Sequence, residues 1–357
     1  MMRVLVINPG STSTKIAVFE DGTSLLEKTI RHSSEELKDF KRIIDQYDFR
    51  VKVIETELNA NGFKLEDFDA FVGRGGLLHP IESGTYRVNE AMVQDLKECR
   101  YGEHASNLGA IIAYNLGEIA KKPAYIVDPV VVDEMEPLAK YSGLKGIERK
   151  SIWHALNQKA VARRAAKDLG KKYEEVNLIV VHLGGGISIA AHKKGRTVDV
   201  NNALNGDGPF APERAGGLPT ISLVDLCMSG KYTYEEMKKL LAGHGGLVSH
   251  LGTNSAMEVE ERIKKGDTYA KLVYEAMAYQ IAKTIGEMAT VLKGRVDAIV
   301  LTGGLANSSM LTNWIKEHVS FIAKVLVYPG EDEMRALLEG TLRVLKGEEK
   351  EKIYERI

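Results

Sequence analysis

Cysteine is scarce in this chain: Cys99 and Cys227 are the only two among 357 residues. Two thiols make neither a disulfide framework nor a structural zinc site, which draws on four ligands. They read as buried thiols in a reducing compartment. An excess of one charge is lacking too. The 48 Lys+Arg stand against 49 Asp+Glu, for a formal net charge of -1. A broad nucleic-acid surface needs a basic excess, so that partner class is excluded, while a local cationic cleft is not. No apolar run is long enough to span a bilayer. The first residues already read as a strand, so no membrane anchor or secretory leader is expected, and a cytoplasmic location is. No Ser–His–carboxylate arrangement stands out, which leaves hydrolytic acyl transfer without support.

What is present is one pattern, written three times. Val4, Leu5, Val6 and Ile7 form a β-rich run that ends in Asn8, Pro9, Gly10, Ser11, Thr12, Ser13, Thr14 and Lys15, after which Ile16–Phe19 resume a strand. Leu178 to His182 run in the same way into Leu183, Gly184, Gly185, Gly186, Ile187 and Ser188. Ala298 to Leu301 run into Thr302, Gly303 and Gly304. Glycine lets a backbone approach an anion closely, and free N–H groups with Ser/Thr hydroxyls cradle phosphate. Taken singly, the first turn reads equally as an ordinary polar hairpin. Repeated in both halves, the pattern predicts a duplicated α/β nucleotide-binding fold with ligand between the halves. The length, too great for one ordinary core, also predicts two domains.

Between the turns the chain offers further polar candidates. Helical patterns cover residues 35–59, 90–99, 104–120, 152–169, 267–292 and 331–345. A strand at 68–72 delivers Arg74 among Gly73, Gly75 and Gly76, which suits an oxyanion clamp or a solvated surface turn. The strand 124–127 delivers Asp128, read either as a functional carboxylate at a sheet's carboxyl end or as a turn aspartate bonding its own backbone. His104 is a helix-start or core residue, or else a cleft residue. Trp153 reads as packing, and His154 as a polar helix end. His182 stands one residue before three glycines and is read as facing whatever that turn binds. Glu331, Asp332 and Glu333 suit the dipole of a helix start. Gly286 suggests close packing of its helix. The break at 148–150 is taken as the domain boundary, and residues 346–352 as a solvated charged tail.

The motifs NPGSTSTK, VGRGG, HLGGGIS, ERAGG and LTGG, in that order, resemble the acetokinase family, within the superfamily of acetate and sugar kinases, Hsp70 and actin. GRGGLLHP, GEHASNLGA, IWHALNQ, NALNGDGPFAPERAGGLP and YPGEDEMRALLEG place the likeness nearest its butyrate kinase branch. The resemblance spans nearly the whole chain. It implies a duplicated ribonuclease-H-like (actin-like ATPase) fold with an interdomain cleft. The domains would be 1–150 plus about 333–357, and 151–332. It further implies ATP and Mg²⁺ as cofactors and a homo-oligomer with a small carboxylate as partner. By the resemblance, Arg74 and Arg214 hold the carboxylate and the transferring phosphate. His154 and His182 contact that phosphate, with Asp128 as a further catalytic group. Asn8, Gly10, Ser11, Ser13, Lys15, Gly184, Gly185, Gly186, Gly303 and Gly304 bind the nucleotide. Gly76, His104 and Trp153 line the acyl group. Asp332 or Glu333, with Asn8, serves the metal.

The chemistry implied is direct in-line transfer from ATP to a short-chain acid, butyrate first, with isobutyrate, acetate and propionate as alternatives. A carboxylate with a pKa of about 4 is already ionised at neutral pH and needs no general base. Acetate kinases carry valine where this chain has Gly76, so the missing side chain is expected to leave room for a longer acid. In one place the chain departs from the family: Ser255 and Met257 stand where an Asp and an Arg commonly hold adenosine. An alternative of another class is a non-catalytic ATP switch, which hydrolyses ATP without any acid.

Overall fold

The computed structural model describes residues 2–204 and 206–357. They divide into two compact units, one running to Val132 and rejoined by Asp332–Ile357, the other Asp133–Glu331. Residues 133–150 therefore belong with the second unit, ahead of the polar break taken as a boundary.

In the first unit the strands are β1 (Arg3–Pro9), β2 (Ser13–Glu20), β3 (Thr23–Arg31), β4 (Ala70–Gly73), β5 (Thr85–Arg87) and β6 (Ala124–Val127). β3, β2 and β1 form an antiparallel meander, and β4 and then β6 add parallel to β1. In the second unit β7 (Asn177–Leu183), β8 (Ile187–Lys193) and β9 (Arg196–Val200) form the same meander, and β10 (Ala298–Gly303) and then β11 (Val325–Pro329) add parallel to β7. With β6 counted as the fifth strand of the first sheet, the order 3-2-1-4-5, with the same parallel and antiparallel senses, thus occurs twice; β5 adds antiparallel beyond β6. This is the duplicated ribonuclease-H-like α/β architecture.

The central strands explain their own sequences. Val4 to Ile7 and Leu178 to Val181 are wholly buried. Such strands are covered on both faces and read as continuous apolar runs instead of alternating ones. In the second unit the alternation survives in the packing. Ile179 and Val181 face the cluster built on the helix Thr268–Val291, whereas Leu178 and Val180 face the helix Ala155–Asp168. That makes a helix–sheet–helix sandwich. In the first unit the helices Asn107–Ala120 and Glu333–Leu345 both pack on β1, β4 and β6.

Four expectations need correction. The stretch 35–59 is not one helix: a single turn at Ser34–Leu37 is followed by a separate helix, Tyr47–Ala60. Its Arg50 is wholly buried and bonds the first turn, so that face serves a polar network as well as the apolar stripe. Gly286 is not a close-packing site, since a Cβ there would meet no atom within 4 Å. The charged tail is solvated over most of its length but docked at its end: β12 (Lys352–Ile353) pairs with β5, and the Tyr354 that follows, buried, donates to Asp95 Oδ2 at 2.8 Å. The thiols are not buried either, for Cys99 is partly exposed and Cys227 exposed. Among the described residues no helix is long and apolar enough to cross a membrane.

Candidate active site

In the first unit the polar candidates gather at the carboxyl ends of β1 and β4, the side where open α/β sheets bind ligands. Arg74 follows Gly73 at the end of β4, and its backbone N–H donates to Ile7 O. Its guanidinium pairs with the Glu333 carboxylate, and the Asn8 amide donates to the other oxygen of Glu333 at 2.8 Å. Asp332 instead caps the last helix, accepting from Arg335 N at 3.1 Å, and lies mostly in solvent. The structure thus brings Glu333, not Asp332, to Arg74 and Asn8.

The turn after β1 is tight, with Gly10 N–H donating to Ser13 O at 2.8 Å. Ser11 and Lys15 are exposed and Ser13 half-buried. Arg50 lies beneath the turn and donates to Ser11 O, Ser13 O and Thr14 Oγ1 at 3.3, 2.9 and 3.0 Å. Burial lowers its pKa to about 10, so the cation persists at neutral pH. His104 is exposed, and partial desolvation, then the Arg74 charge, hold its pKa below the ordinary imidazole value. Its Nδ1 accepts from Ser106 N–H at 3.2 Å. Asp128 is buried, and its Oδ1 accepts from Ser83 Oγ and Gly84 N at 2.6 and 2.8 Å. Those bonds tie the end of β6 to the residues entering β5.

Gly76 needs a correction. A Cβ there would lie 2.4 Å from Asn107 Oδ1, 2.6 Å from Asn107 Cα and 2.8 Å from Leu96 Cδ2. The missing side chain therefore does not open a pocket. The start of the helix Asn107–Ala120 already fills that space, and glycine is what lets it approach.

In the second unit the centre is His182, near the end of β7 and only 1% exposed. Its Nδ1 lies 2.8 Å from Asn157 Oδ1 and its Nε2 3.0 Å from Glu331 Oε1. His154, at the start of its helix, stacks on it with centroids 3.7 Å apart and planes 7° from parallel. Gly184 N–H donates to Gly186 O, and a Cβ on Gly185 would approach the Glu213 carboxylate. Gly303, with φ of 89°, would place a Cβ 2.3 Å from Leu183 O, so this crossing of β7 and β10 requires glycine. Gly304 opens a short turn after it. Trp153 is 1% exposed and packs edge-on to His192, which leaves a ligand almost none of its surface.

Arg214 donates to Glu213 O at 3.2 Å, while its buried Nε has no hydrogen-bond partner. It lines a cavity of about 140 Å³ with Leu204, Leu218 and Leu223. Asn205, of the loop before it, lies outside the described residues. Ser255 caps the helix Ala256–Lys264, accepting from Glu258 N, and Met257 is 79% exposed.

A hard cation fits the first-unit cluster. Mg²⁺ in kinases takes one or two carboxylates and completes its shell with water and phosphate oxygens. The Glu333 carboxylate and Asn8 amide are oxygen donors of that kind. Among the described residues no group of three or more His, Cys, Asp or Glu forms a cage by itself. Sequence reasoning missed Arg50, Asn157 and Gln158, and gave Ser188 and Glu331 no contact with a site histidine. The one available signal was the polar pair Asn157 and Gln158, one helical turn beyond His154.

The model of the acetokinase family matches residues 137–326 of this chain. Among solved structures, Porphyromonas gingivalis acetate kinase superposes with a TM-score of 0.79 at 21% identity, over 97% of this chain and 100% of that one. Entamoeba histolytica acetate kinase gives 0.75 at 18%, over 95% and 99%. A propionate kinase from Francisella tularensis subsp. tularensis SCHU S4 gives 0.73 at 20%, over 95% and 99%. At these identities the superpositions speak for the fold.

Proposed function

Because the chain belongs to the acetokinase family, whose model spans more than half of it, we propose that it is a carboxylate kinase that phosphorylates a short-chain acid from ATP. Butyrate giving butyryl phosphate and ADP is the reaction put forward, on the strength of the ordered motifs from GRGGLLHP to YPGEDEMRALLEG. The observation that carries the reading is Arg74, held by Glu333 beside Asn8 at the carboxyl end of the first sheet.

The substrate arrives ionised, so the task is to neutralise repulsion between its carboxylate and the γ-phosphate. A planar guanidinium grips two oxygens at once. Arg74 and Arg214 serve that role, and His154, stacked on His182, donates to the transferring group. Mg²⁺, when bound by Glu333 and Asn8, adds positive charge at the phosphates. The glycine turns 184–186 and 303–304 and the turn 8–15 bind nucleotide phosphates through backbone N–H groups.

The acetate and propionate kinases that share the fold supply the alternative substrates. Each buried methylene contributes about 0.8 kcal/mol, so a site accepting two more favours butyrate over acetate by roughly 15-fold. The test is purified protein with MgATP and acids from acetate to hexanoate, isobutyrate included, with acyl phosphate trapped by hydroxylamine. A maximum at butyrate or isobutyrate supports the full reading. A maximum at acetate or propionate keeps the reaction and discards the chain length. Steady ATP hydrolysis with no trapped product from any acid replaces it with an ATP switch.

A homo-oligomer is part of the proposal. The helix Thr220–Met228 buries none of its residues although Ile221, Val224, Leu226 and Met228 are apolar, and such a face is commonly covered in an assembly. Light scattering that gives a monomer at micromolar concentration would remove it.

A further inference from the structure

A buried hydrogen-bond chain runs through the second unit toward His154, and its polarity can be assigned from one fixed end. Gln158, wholly buried, places Nε2 at 3.0 Å from the backbone carbonyl of Ser188 and at 2.8 Å from Ser188 Oγ. A carbonyl only accepts, so the group facing it is the NH₂, and the orientation of the amide is settled. Gln158 Oε1 therefore faces His192 Nε2, 3.0 Å away, and that nitrogen carries a proton. Burial, then the charges of Lys159 and Arg163, push the His192 pKa well below its ordinary value, so the ring is neutral. Its bare Nδ1 accepts from the Tyr173 hydroxyl at 2.6 Å. At the other end, Ser188 Oγ already accepts from Gln158, and its own hydrogen goes to His154 Nδ1 at 2.9 Å.

His154 is thereby fixed as the neutral ring with its proton on Nε2. Its stacked neighbour His182 has both ring nitrogens within hydrogen-bond distance of side-chain oxygens, Asn157 Oδ1 and Glu331 Oε1. Lys159, the nearest cation on this helix, is paired with Glu134 at 2.6 Å.

We propose that Gln158 and Ser188 are positioning residues that hold His154, stacked on His182, as a neutral Nε2–H donor. The role in catalysis rests on the carboxylate kinase reading; the tautomer assignment does not. Without the Ser188 hydroxyl, His154 Nδ1 loses its hydrogen-bond donor, the tautomer is no longer fixed and the ring takes up a proton more readily.

The experiment pairs kinetics with ¹⁵N NMR of histidine-labelled full-length protein. For Ser188→Ala, kcat is expected to fall about a hundred-fold, the low end for a misplaced proton donor. The acid limb of its pH profile is expected to move up by about one unit, with KM for ATP within about two-fold. Gln158→Met should do the same, and the double variant should be no worse than either single one, since both act through one path. A uniform loss of rate with an unmoved profile would mean a merely structural role and overturn the proposal. The NMR spectrum is recorded on wild type without acid or nucleotide, so it holds even where a variant fails to fold. It should show His154 as the Nε2–H tautomer from pH 6 to 8. An Nδ1–H or charged His154 at pH 7 would overturn the assignment. Wild-type protein that makes no acyl phosphate from any acid would overturn the function and leave the spectrum standing.

Discussion

Replacing Arg74 with alanine separates catalysis from folding. The guanidinium and the Glu333 carboxylate are 24% and 22% exposed, so solvent screens their pairing only in part. A partly screened ion pair contributes about 1 kcal/mol. Asn8 still donates to Glu333 after the change. The expected loss of stability is therefore about 1 kcal/mol, or a Tm lower by roughly 2–4 °C for units of this size. The transition state loses much more. A preorganised donor aimed at developing negative charge accounts for about 3–4 kcal/mol, which is roughly 10²–10³ in kcat. Hydroxamate trapping at saturating acid and ATP measures the rate, and differential scanning fluorimetry measures the Tm. A drop in kcat of a few hundred-fold with a Tm within a few degrees is the expected pair of results. A variant that keeps a third or more of wild-type kcat would refute the assignment of Arg74, whatever its Tm.

Three further outcomes follow from the packing. Gly76→Ala should lower the Tm sharply without changing the order of preference among acids, because its Cβ meets Asn107 and Leu96 and no open space; a selective loss of the longer acids would restore the pocket argument. Arg50→Met should cost about 3 kcal/mol in urea unfolding, since a buried charged donor is lost and Gln46 Oε1, Ser11 O and Ser13 O lose their partner. It should also raise KM for ATP, and an unchanged KM would detach the turn 8–15 from the nucleotide. The pH dependence of stability has a definite sign. Burial depresses the folded-state pKa of His192, and of His32 as well, below the unfolded value of about 6.5. Stability from this source is present above that value and lost as pH falls below it, by up to about 1.4 kcal/mol per pH unit for each histidine. Urea midpoints that stay flat between pH 7 and 5 would contradict it.

Much of the fold was legible because the central strands are buried on both faces. Val4 to Ile7 and Leu178 to Val181 admit no polar residue and so announce themselves. The glycine turns were legible for a related reason: at Gly303 a neighbouring backbone comes too close for any side chain. Elements whose stability depends on distant partners were not legible. Lys352 and Ile353 look like part of a charged tail until β5 supplies a ladder and Asp95 a partner for Tyr354. The helix over 35–59 followed from periodicity alone, which cannot register that Arg50 turns inward to bond a loop. At the site, glycine-flanked arginine and histidine stood out by type and position. Gln158 and Ser188 did not, because a buried amide and a hydroxyl gain meaning only from which atoms they face. Gly76 shows the converse error: a missing side chain was taken as empty space, when a neighbouring helix occupies it.

The central claim is that a carboxylate oxygen attacks the γ-phosphorus directly. Butyrate labelled with ¹⁸O at both oxygens, incubated with MgATP and the enzyme, tests this by mass spectrometry of the acyl phosphate, with an acid-free sample read for ADP. Direct transfer predicts a product that retains both heavy oxygens, and ADP that accumulates only when acid is present. Loss of one label would place the attack at the acyl carbon. ADP formation without acid, and no labelled product with it, would show that the chain does not phosphorylate carboxylates.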